Sequence, residues 1–147
     1  MDIRVATHDE LLQHSPALRS VYSEAFCAPP WNEDEERADA FVVQLSPDVR
    51  RPGFTAALAF DGADLVGFAT SWATPTPFPS DRCHPQAAAS LGPGRTEEWL
   101  CGAREVDELA VRPTARGTGL AAGLLRAVTE GAPAGRAWLL TSLRSPL

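Results

Sequence analysis

Residues 109–122 read Leu-Ala-Val-Arg-Pro-Thr-Ala-Arg-Gly-Thr-Gly-Leu-Ala-Ala, and this stretch is the most informative part of the chain for its fold. An apolar strand is expected to end at Val111, and an apolar helix is expected to follow from Gly119. Gly117 and Gly119 lack the side chains that would block a close approach to the backbone. Because a helix N-terminus offers free N–H groups and the positive end of the helix dipole, the stretch predicts a pyrophosphate-binding loop.

Outward from this loop, apolar periodicity predicts five strands and three helices. The strands cover residues 2–7, 54–60, 65–74, 105–111 and 137–142. The helices cover residues 9–26 (with a restart at Ser15-Pro16), 33–45 (with Asn32 as N-cap) and 119–130. A long segment, 75–96, is rich in Pro, Gly, Ala and Ser, and is predicted to be a functional excursion or to hold a short helix around residues 86–91.

The order of these elements is β-α-α-β-β-β-α-β. Asp61-Gly62 is typical of a hairpin turn, so the second and third strands are expected to be antiparallel. The last two strands are joined by a helix, which predicts a right-handed crossover and parallel pairing. The sequence thus predicts an α/β (α+β) fold, a mixed and mostly antiparallel sheet flanked by helices, in one domain over residues 1–147.

Composition excludes several classes of function. The net charge of −6 gives no basic field for nucleic acid, and no run is apolar and long enough for a membrane span. The N-terminus lacks a secretory pattern, and three widely spaced cysteines are typical of reduced thiols, so a cytoplasmic protein without a metal site is expected. No function is assigned to the histidines, which are expected on the surface: His8, His14 and His84.

Two other interpretations of the glycine loop stay open. The glycines could serve only a tight strand-to-helix turn. Alternatively, Gly117-x-Gly119-x-x-Ala122 fits a dinucleotide-binding fingerprint, but that site follows the first strand of a βαβ unit and needs an acid about 20 residues further on. Here the loop follows the fourth predicted strand, and no acid follows Gly131. A kinase-type phosphate loop is excluded because the chain has no Gly-Lys-Ser/Thr.

The run from Arg116 to Ala121 resembles the Arg/Gln-x-x-Gly-x-Gly/Ala signature of the GCN5-related N-acetyltransferases (GNAT). The preceding Leu-Ala-Val-Arg-Pro and the order of elements are also similar. The resemblance implies acetyl-coenzyme A (acetyl-CoA) as cosubstrate, in a split between the fourth and fifth strands. The implied backbone contacts to the acetyl and pantetheine arm are Leu109, Ala110 and Val111. The implied pyrophosphate contacts are Arg116, Gly117, Thr118, Gly119, Leu120, Ala121 and Ala122.

Three acids on the fourth strand are candidates for the general base that deprotonates the attacking amine. Strand alternation predicts Glu105 and Asp107 on one face and Glu108 on the other. The resemblance implies a base at the position of Glu105 or Asp107, so Asp107 ranks first, Glu105 second and Glu108 third. The alternative is that these acids are solvated or paired with a neighbouring arginine such as Arg104 or Arg112.

The acceptor site is expected near Trp31 and Glu33, because the resemblance implies that this segment forms one wall of it. Trp72 and the 75–96 excursion are predicted to form the opposite wall. An aromatic and acidic lining would suit a cationic amine, either a small molecule or a peptide amine. The alternative is that Trp31 fills the core and the neighbouring glutamates only favour a helix N-terminus.

The resemblance also implies a further helix and strands after the fifth strand, and a general-acid tyrosine in that helix. The only tyrosine is Tyr22, in the first helix, so the implied general acid has no counterpart. The sequence stops at Ser145-Pro146-Leu147, where the implied helix would begin, so an incomplete C-terminal part is expected. The fifth strand would then be an exposed apolar edge that favours a homodimer. A catalytically silent coenzyme A-binding or regulatory module is the rival hypothesis. The acceptor, the oligomeric state and the substitute for the tyrosine stay open.

Overall fold

A computed structural model of the chain describes residues 1–141. The strands are β1 (Asp2–Val5), β2 (Thr55–Asp61), β3 (Asp64–Ala73), β4 (Arg104–Val111) and β5 (Ala137–Trp138). The helices are α1 (His8–Gln13), α2 (Ser15–Phe26), α3 (Glu35–Asp48), α4 (His84–Leu91), α5 (Pro93–Arg95) and α6 (Leu120–Thr129). A π-helical turn, Thr96–Leu100, precedes β4, and a 3-10 turn, Pro113–Ala115, follows it.

The five strands form one sheet in the order β1-β2-β3-β4-β5. The first four strands pair antiparallel, and β4 pairs parallel with β5 through the α6 crossover. The predicted mixed, mostly antiparallel α/β sheet is therefore confirmed, including the hairpin at Asp61-Gly62.

Each face of the sheet is covered by helices. Helices α2 and α3 pack on one face, where Leu18, Leu45 and Phe68 are buried. Helix α6 packs on the other face through Leu120, Leu124 and Val128. Gly67 allows this close packing, since a Cβ there would lie 3.0 Å from the Ala110 carbonyl oxygen and 3.1 Å from Leu124 Cδ1. This packing fixes the start of α6 beside the end of β4.

The helical N-termini differ from prediction at one point. The restart at Ser15-Pro16 is confirmed, because α2 begins at Ser15. Asn32 as an N-cap is wrong: its φ is +49°, and its N–H bonds to the Ala28 carbonyl in a turn. Asn tolerates this left-handed conformation better than most residues. The N-cap position is Asp34, and α3 consequently runs over Glu35–Asp48.

The excursion between β3 and β4 contains a helix, α4, which spans His84–Leu91. The prediction of a short helix around residues 86–91 is therefore confirmed. The fifth strand is shorter than predicted. It pairs with β4 only at Ala137 and Trp138, and Ser142 lies outside the described residues. Trp138 is held against the excursion, since its Nε1–H donates to Thr74 Oγ1 over 2.9 Å. A homodimer through this strand stays a prediction.

Strand β4 contains a bulge that the sequence analysis did not predict. Thr70 pairs with Glu108 and Ser71 pairs with Val106, so Asp107 has no partner on β3. A bulge adds one residue to one strand and interrupts the alternation of its side chains. The predicted separation of Asp107 from Glu108 onto opposite faces is therefore wrong, because the bulge lies between Val106 and Glu108.

Candidate active site

A cleft of about 800 Å³ opens where β4 and β5 separate. Residues 106–111 line one side, and Leu139, Leu140 and Thr141 line the other. The loop from Ala115 to Ala121 forms one end, and Phe26, Trp31 and Glu33 lie at the other. The volume lies in the range of small-molecule sites.

The free edge of β4 presents backbone polar groups to this cleft. The Arg112 N–H donates to the Val66 carbonyl on the β3 side over 2.8 Å. Backbone groups of successive residues in a strand point to opposite edges. The N–H and carbonyl groups of Leu109 and Val111 therefore point away from β3, toward the cleft, whereas those of Ala110 are used in the sheet.

The loop between β4 and α6 depends on two glycines in left-handed conformations. Gly117 has φ +75° and Gly119 has φ +82°, values that residues other than glycine rarely adopt. No described atom lies within 4 Å of where a Cβ would stand at either position. Both residues line the cleft, so the space in front of them is open to a ligand.

Several N–H groups of this loop are available to an anion. In the described part of the chain, no hydrogen bond uses the N–H groups of Gly117, Thr118 or Gly119. The first intrahelical bond of α6 runs from the Gly123 N–H to the Gly119 carbonyl, so the N–H groups of residues 120–122 have no partner within the helix. The Thr118 hydroxyl donates to the Ala115 carbonyl over 2.6 Å and holds the loop.

The two arginines near this loop have different surroundings. Arg116 is exposed and lines the cleft. Arg112 points away from the loop: its Nε–H donates to the Leu65 carbonyl over 2.8 Å, and its guanidinium pairs with Glu24 of α2. Arg116 thus lines the cleft, whereas Arg112 does not, and its contact with a pyrophosphate stays a prediction.

Asp107 lies at the bulge and lines the cleft. Its carboxylate is 3.1 Å from the Arg82 guanidinium, and its side chain is 21% exposed. Burial raises the pKa of Asp107 to about 6, although the charge of Arg82 opposes this shift. A carboxyl with a pKa near 6 is mostly ionised at neutral pH and can accept a proton there.

Glu108 also lines the cleft. Burial raises the pKa of Glu108 well above its usual range, and the negative charges of Asp107 and Glu33 raise it further. Because ionising one of two neighbouring carboxyls makes the other harder to ionise, their titrations depend on each other. Asp107 and Glu108 therefore form a coupled acidic pair beside the free edge of β4.

Glu105 lies outside the cleft, in a buried pair with His84. The His84 Nε2 atom is 2.9 Å from Glu105 Oε2, and the two side chains are 2% and 4% exposed. The His84 Nδ1 atom lies 2.9 Å from the Asp81 carbonyl oxygen. Because His84 is buried, its expected surface position is wrong. Because Glu105 is buried in the pair with His84 and outside the cleft, it is not free to accept a substrate proton.

Replacing Glu105 with alanine is expected to lower the free energy of unfolding by about 3–5 kcal/mol, because it leaves His84 buried without its partner. Chemical denaturation of the purified variant measures this loss. A double-mutant cycle with His84→Ala should recover about 1–3 kcal/mol of coupling between the two residues. A cost below about 1 kcal/mol would show that the pair contributes little to the fold.

The aromatic and acidic residues of the acceptor region meet at the end of the cleft. Trp31 packs edge-on against Phe26, with ring centroids 5.7 Å apart. The Tyr22 hydroxyl donates to Glu33 Oε1 over 2.6 Å. Burial and the charge of Glu108 raise the pKa of Tyr22. Trp31 and Glu33 therefore both line the cleft, and Tyr22 orients Glu33; their part in an acceptor site stays a prediction.

Trp72 does not line the cleft, which corrects its predicted position. It is 1% exposed. The guanidinium groups of Arg51 and Arg82 lie over its ring, at 4.6 Å and 5.1 Å from the ring centroid. The alternation of β3 points Trp72 to the α3 face, where these arginines cover it.

The described residues contain neither a helix suited to span a membrane nor a cluster of side chains suited to bind a metal ion. No helix within residues 1–141 has the length and apolar character needed to cross a membrane. Within the same residues, no group of three or more His, Cys, Asp or Glu side chains is arranged to hold a metal ion. Cys27, Cys83 and Cys101 are free thiols.

Comparison with known proteins gives a family match over most of the chain. The sequence profile described as "Acetyltransferase (GNAT) family" matches residues 16–143. A search of curated protein sequences finds no match.

Solved structures of low sequence identity share the fold. One is an aminoglycoside acetyltransferase from an uncultured soil metagenomic sample, with a TM-score of 0.61, 17% identity and coverage of 97% of this chain and 80% of that one. Another is aminoglycoside N-acetyltransferase AAC(6')-Iy in complex with CoA, with a TM-score of 0.59, 16% identity and coverage of 97% and 77%.

A third similar structure is a GNAT-family protein from Desulfovibrio desulfuricans, with a TM-score of 0.54 and 18% identity. The alignment covers 84% of this chain and 60% of that longer chain. At these identities the structural likeness establishes the fold.

Proposed function

The chain belongs to the acetyltransferase (GNAT) family, and we propose that it transfers the acetyl group of acetyl-CoA to a cationic amine by direct attack in a ternary complex. The observation that carries this proposal is the cleft between β4 and β5, which places the coupled pair Asp107 and Glu108 beside the free edge of β4.

The cofactor loop fits acetyl-CoA by the chemistry of its donors. The unpartnered N–H groups of residues 117–122 and the exposed Arg116 would hold the pyrophosphate. The backbone groups of Leu109 and Val111 would pair with the pantetheine arm as a neighbouring strand does. When acetyl-CoA is bound, it supplies an activated thioester carbonyl at this edge.

The proposed chemistry needs a neutral amine, because a protonated amine has no lone pair. The bound ammonium group would first lose one proton to solvent. Asp107 would then take the second proton from the neutral nitrogen, directly or through water, as that nitrogen attacks the thioester carbon. The N–H groups of β4 that face the cleft would stabilise the negative charge on the carbonyl oxygen. The C–S bond then breaks, and the thiolate of coenzyme A takes a proton from solvent.

Trp31 and Glu33 are proposed to bind the acceptor. They line the same cleft as Asp107 and Glu108, and the four residues together give an acidic and aromatic surface that attracts a cation. The family and the aminoglycoside acetyltransferases of similar fold support an amine as the acceptor class. A small-molecule amine is our preferred acceptor.

Two measurements test this function. Isothermal titration of the protein with acetyl-CoA should show binding that is saturable and competed by CoA. Release of free thiol from acetyl-CoA should then depend on added amine, tested over polyamines, aminoglycosides and peptides with a free N-terminus.

The outcomes separate the proposal from its rival. Amine-dependent thiol release supports an acetyltransferase. Binding without amine-dependent release over the whole panel favours a silent coenzyme A-binding module. Absence of binding contradicts both.

A further inference from the structure

We propose that Arg82 is a positioning residue that holds the Asp107 carboxylate at the β4 bulge and stabilises its ionised form, an inference that rests on the acetyl transfer proposed above. Arg82 belongs to the excursion before α4, and it contacts neither the cofactor loop nor the free edge of β4. Its guanidinium connects Asp107 to Asp48, near the end of α3.

The contacts of Arg82 are directional. Nη1 lies 3.1 Å from Asp107 Oδ1, and Nη2 lies 3.0 Å from each oxygen of Asp48. Asp48 is only 4% exposed, and the Arg51 Nε–H also donates to its Oδ1 atom over 2.8 Å. The guanidinium plane also lies over the Trp72 ring. Each side of Arg82 is therefore fixed, so its charge stays beside Asp107.

The backbone of Arg82 supports a role for its side chain. Its φ of +52° lies in the left-handed region, which glycine and asparagine adopt more readily than arginine. Strained residues of this kind persist where the surrounding structure holds them, often near functional sites. The contacts with Asp48 and Asp107 supply that restraint.

The excursion holds β4 on both sides of Val106. Arg82 contacts Asp107, and His84 contacts Glu105. The two contacting residues of the excursion are two positions apart, as are the two acids that they bind. The excursion thus holds β4 at Glu105 and at Asp107, on either side of Val106. The bulge then directs Asp107 into the cleft.

The other charged groups near Asp107 act in the opposite direction to Arg82. Asp48 on α3 and Glu105 on β4 raise the pKa of Asp107, while Arg82 lowers it. Glu108 is the coupled neighbour on β4, and it is itself faced by Glu33 and Arg37. Arg82 is the positive group in direct contact with Asp107. Loss of its charge should therefore raise the pH at which Asp107 ionises.

The direct test is an NMR titration of side-chain carboxyl carbons in the free protein, with the Asp107 signal assigned by its loss in Asp107→Asn. In the wild type, its titration midpoint is expected near pH 6. In Arg82→Gln, we expect the midpoint about 1–2 pH units higher. Arg82→Lys keeps the positive charge but loses the planar guanidinium group that reaches both Asp48 and Asp107. Its Asp107 midpoint should therefore lie between those of the wild type and Arg82→Gln.

The matched control is Arg51→Gln. Arg51 also lies over the Trp72 ring and binds the same Asp48, but Asp107 is not among its contacts within the described residues. Its Asp107 midpoint should stay at the wild-type pH. A wild-type midpoint in both Arg82→Gln and Arg82→Lys would overturn the inference, as would equal shifts in Arg51→Gln and Arg82→Gln. If Arg82→Gln does not fold, an unchanged midpoint in Arg82→Lys overturns it.

Kinetics give a second readout once an amine acceptor is found. The pH at which kcat/KM falls on the acid side should rise in Arg82→Gln by the same amount as the NMR midpoint, while the Kd for acetyl-CoA stays unchanged. Failure of the wild type to release thiol would contradict the proposed function. A normal wild type with an unchanged acid limb in Arg82→Gln would contradict only the role of Arg82.

Discussion

Asp107→Asn is expected to lower kcat/KM for acetyl transfer by about 10²–10⁴-fold, the range for loss of a general base. The amide has nearly the same shape as the carboxyl but cannot accept the proton of the attacking amine. Since the cofactor loop is at the other end of the cleft, the Kd for acetyl-CoA should be unchanged. Thiol release and calorimetric titration measure the two quantities separately.

The pH profile makes this prediction specific to Asp107. The base works when it is ionised, so wild-type kcat/KM should fall as the pH decreases through about 6, the pKa of Asp107 in the folded protein. At pH 7 the wild-type carboxyl would be about 90% ionised on this value. Asp107→Asn should lose this acid limb and retain a low, flatter rate.

Two variants control the Asp107 experiment. Asp64→Asn makes the same chemical change at an exposed position at the β3 end of the hairpin turn, and it should keep wild-type activity. Glu108→Gln tests the coupled partner. If Asp107→Asn keeps its rate and its acid limb while Glu108→Gln loses both, Glu108 is the base and the ranking of the two acids is reversed.

The extent of sequence prediction differs between the fold and the site. The antiparallel pairing of β2 with β3 and the parallel pairing of β4 with β5 follow from local patterns: the hairpin turn at Asp61-Gly62 and the apolar stripe of α6. The loop at Gly117 and Gly119 is recognisable in the sequence as a Gly-x-Gly pattern between a strand and a helix. Both positions have a positive φ, a conformation that glycine adopts without strain. Features encoded within one short segment were therefore predictable.

The geometry of the acids was not predictable in this way. The bulge at Asp107 depends on the register between β3 and β4, which a single strand does not encode. Strict alternation consequently separated Asp107 from Glu108 and grouped it with Glu105. A bulge signal was absent, since neither Asp107 nor its neighbours is glycine or proline.

His84 and Trp72 show the same limit on a larger scale. His84 follows a cysteine in a polar segment, and only the tertiary contact with Glu105 explains its burial. The sequence analysis predicts Trp72, together with the 75–96 excursion, in the wall of the acceptor site opposite Trp31 and Glu33. The structure shows instead that Arg51 and Arg82 cover it, and these arginines are 21 and 10 positions away in sequence. The burial of His84 and Trp72 therefore depends on contacts between segments that are distant in sequence, which local patterns do not reveal.

Gly119→Trp is expected to weaken acetyl-CoA binding by about 100-fold or more. Gly119 stands at the N-terminus of α6 with open space where a side chain would begin, and that space faces the cleft. An indole there would occupy the volume proposed for the pyrophosphate. It would also hinder access to the N–H groups of residues 120–122. Calorimetric titration with acetyl-CoA measures the change in Kd.

Gly62→Trp separates this steric effect from backbone strain. Gly62 has φ +62° at the tip of the β2–β3 hairpin, also with no described atom within 4 Å of a Cβ, and it does not line the cleft. Both variants force a bulky residue into a left-handed conformation, at a cost of about 1–2 kcal/mol. Their stabilities should therefore be similar, whereas only Gly119→Trp should lose acetyl-CoA binding. Equal affinities in the two variants would show that the cofactor phosphates do not bind at this loop, and Gly117 and Gly119 would then serve only the turn between β4 and α6.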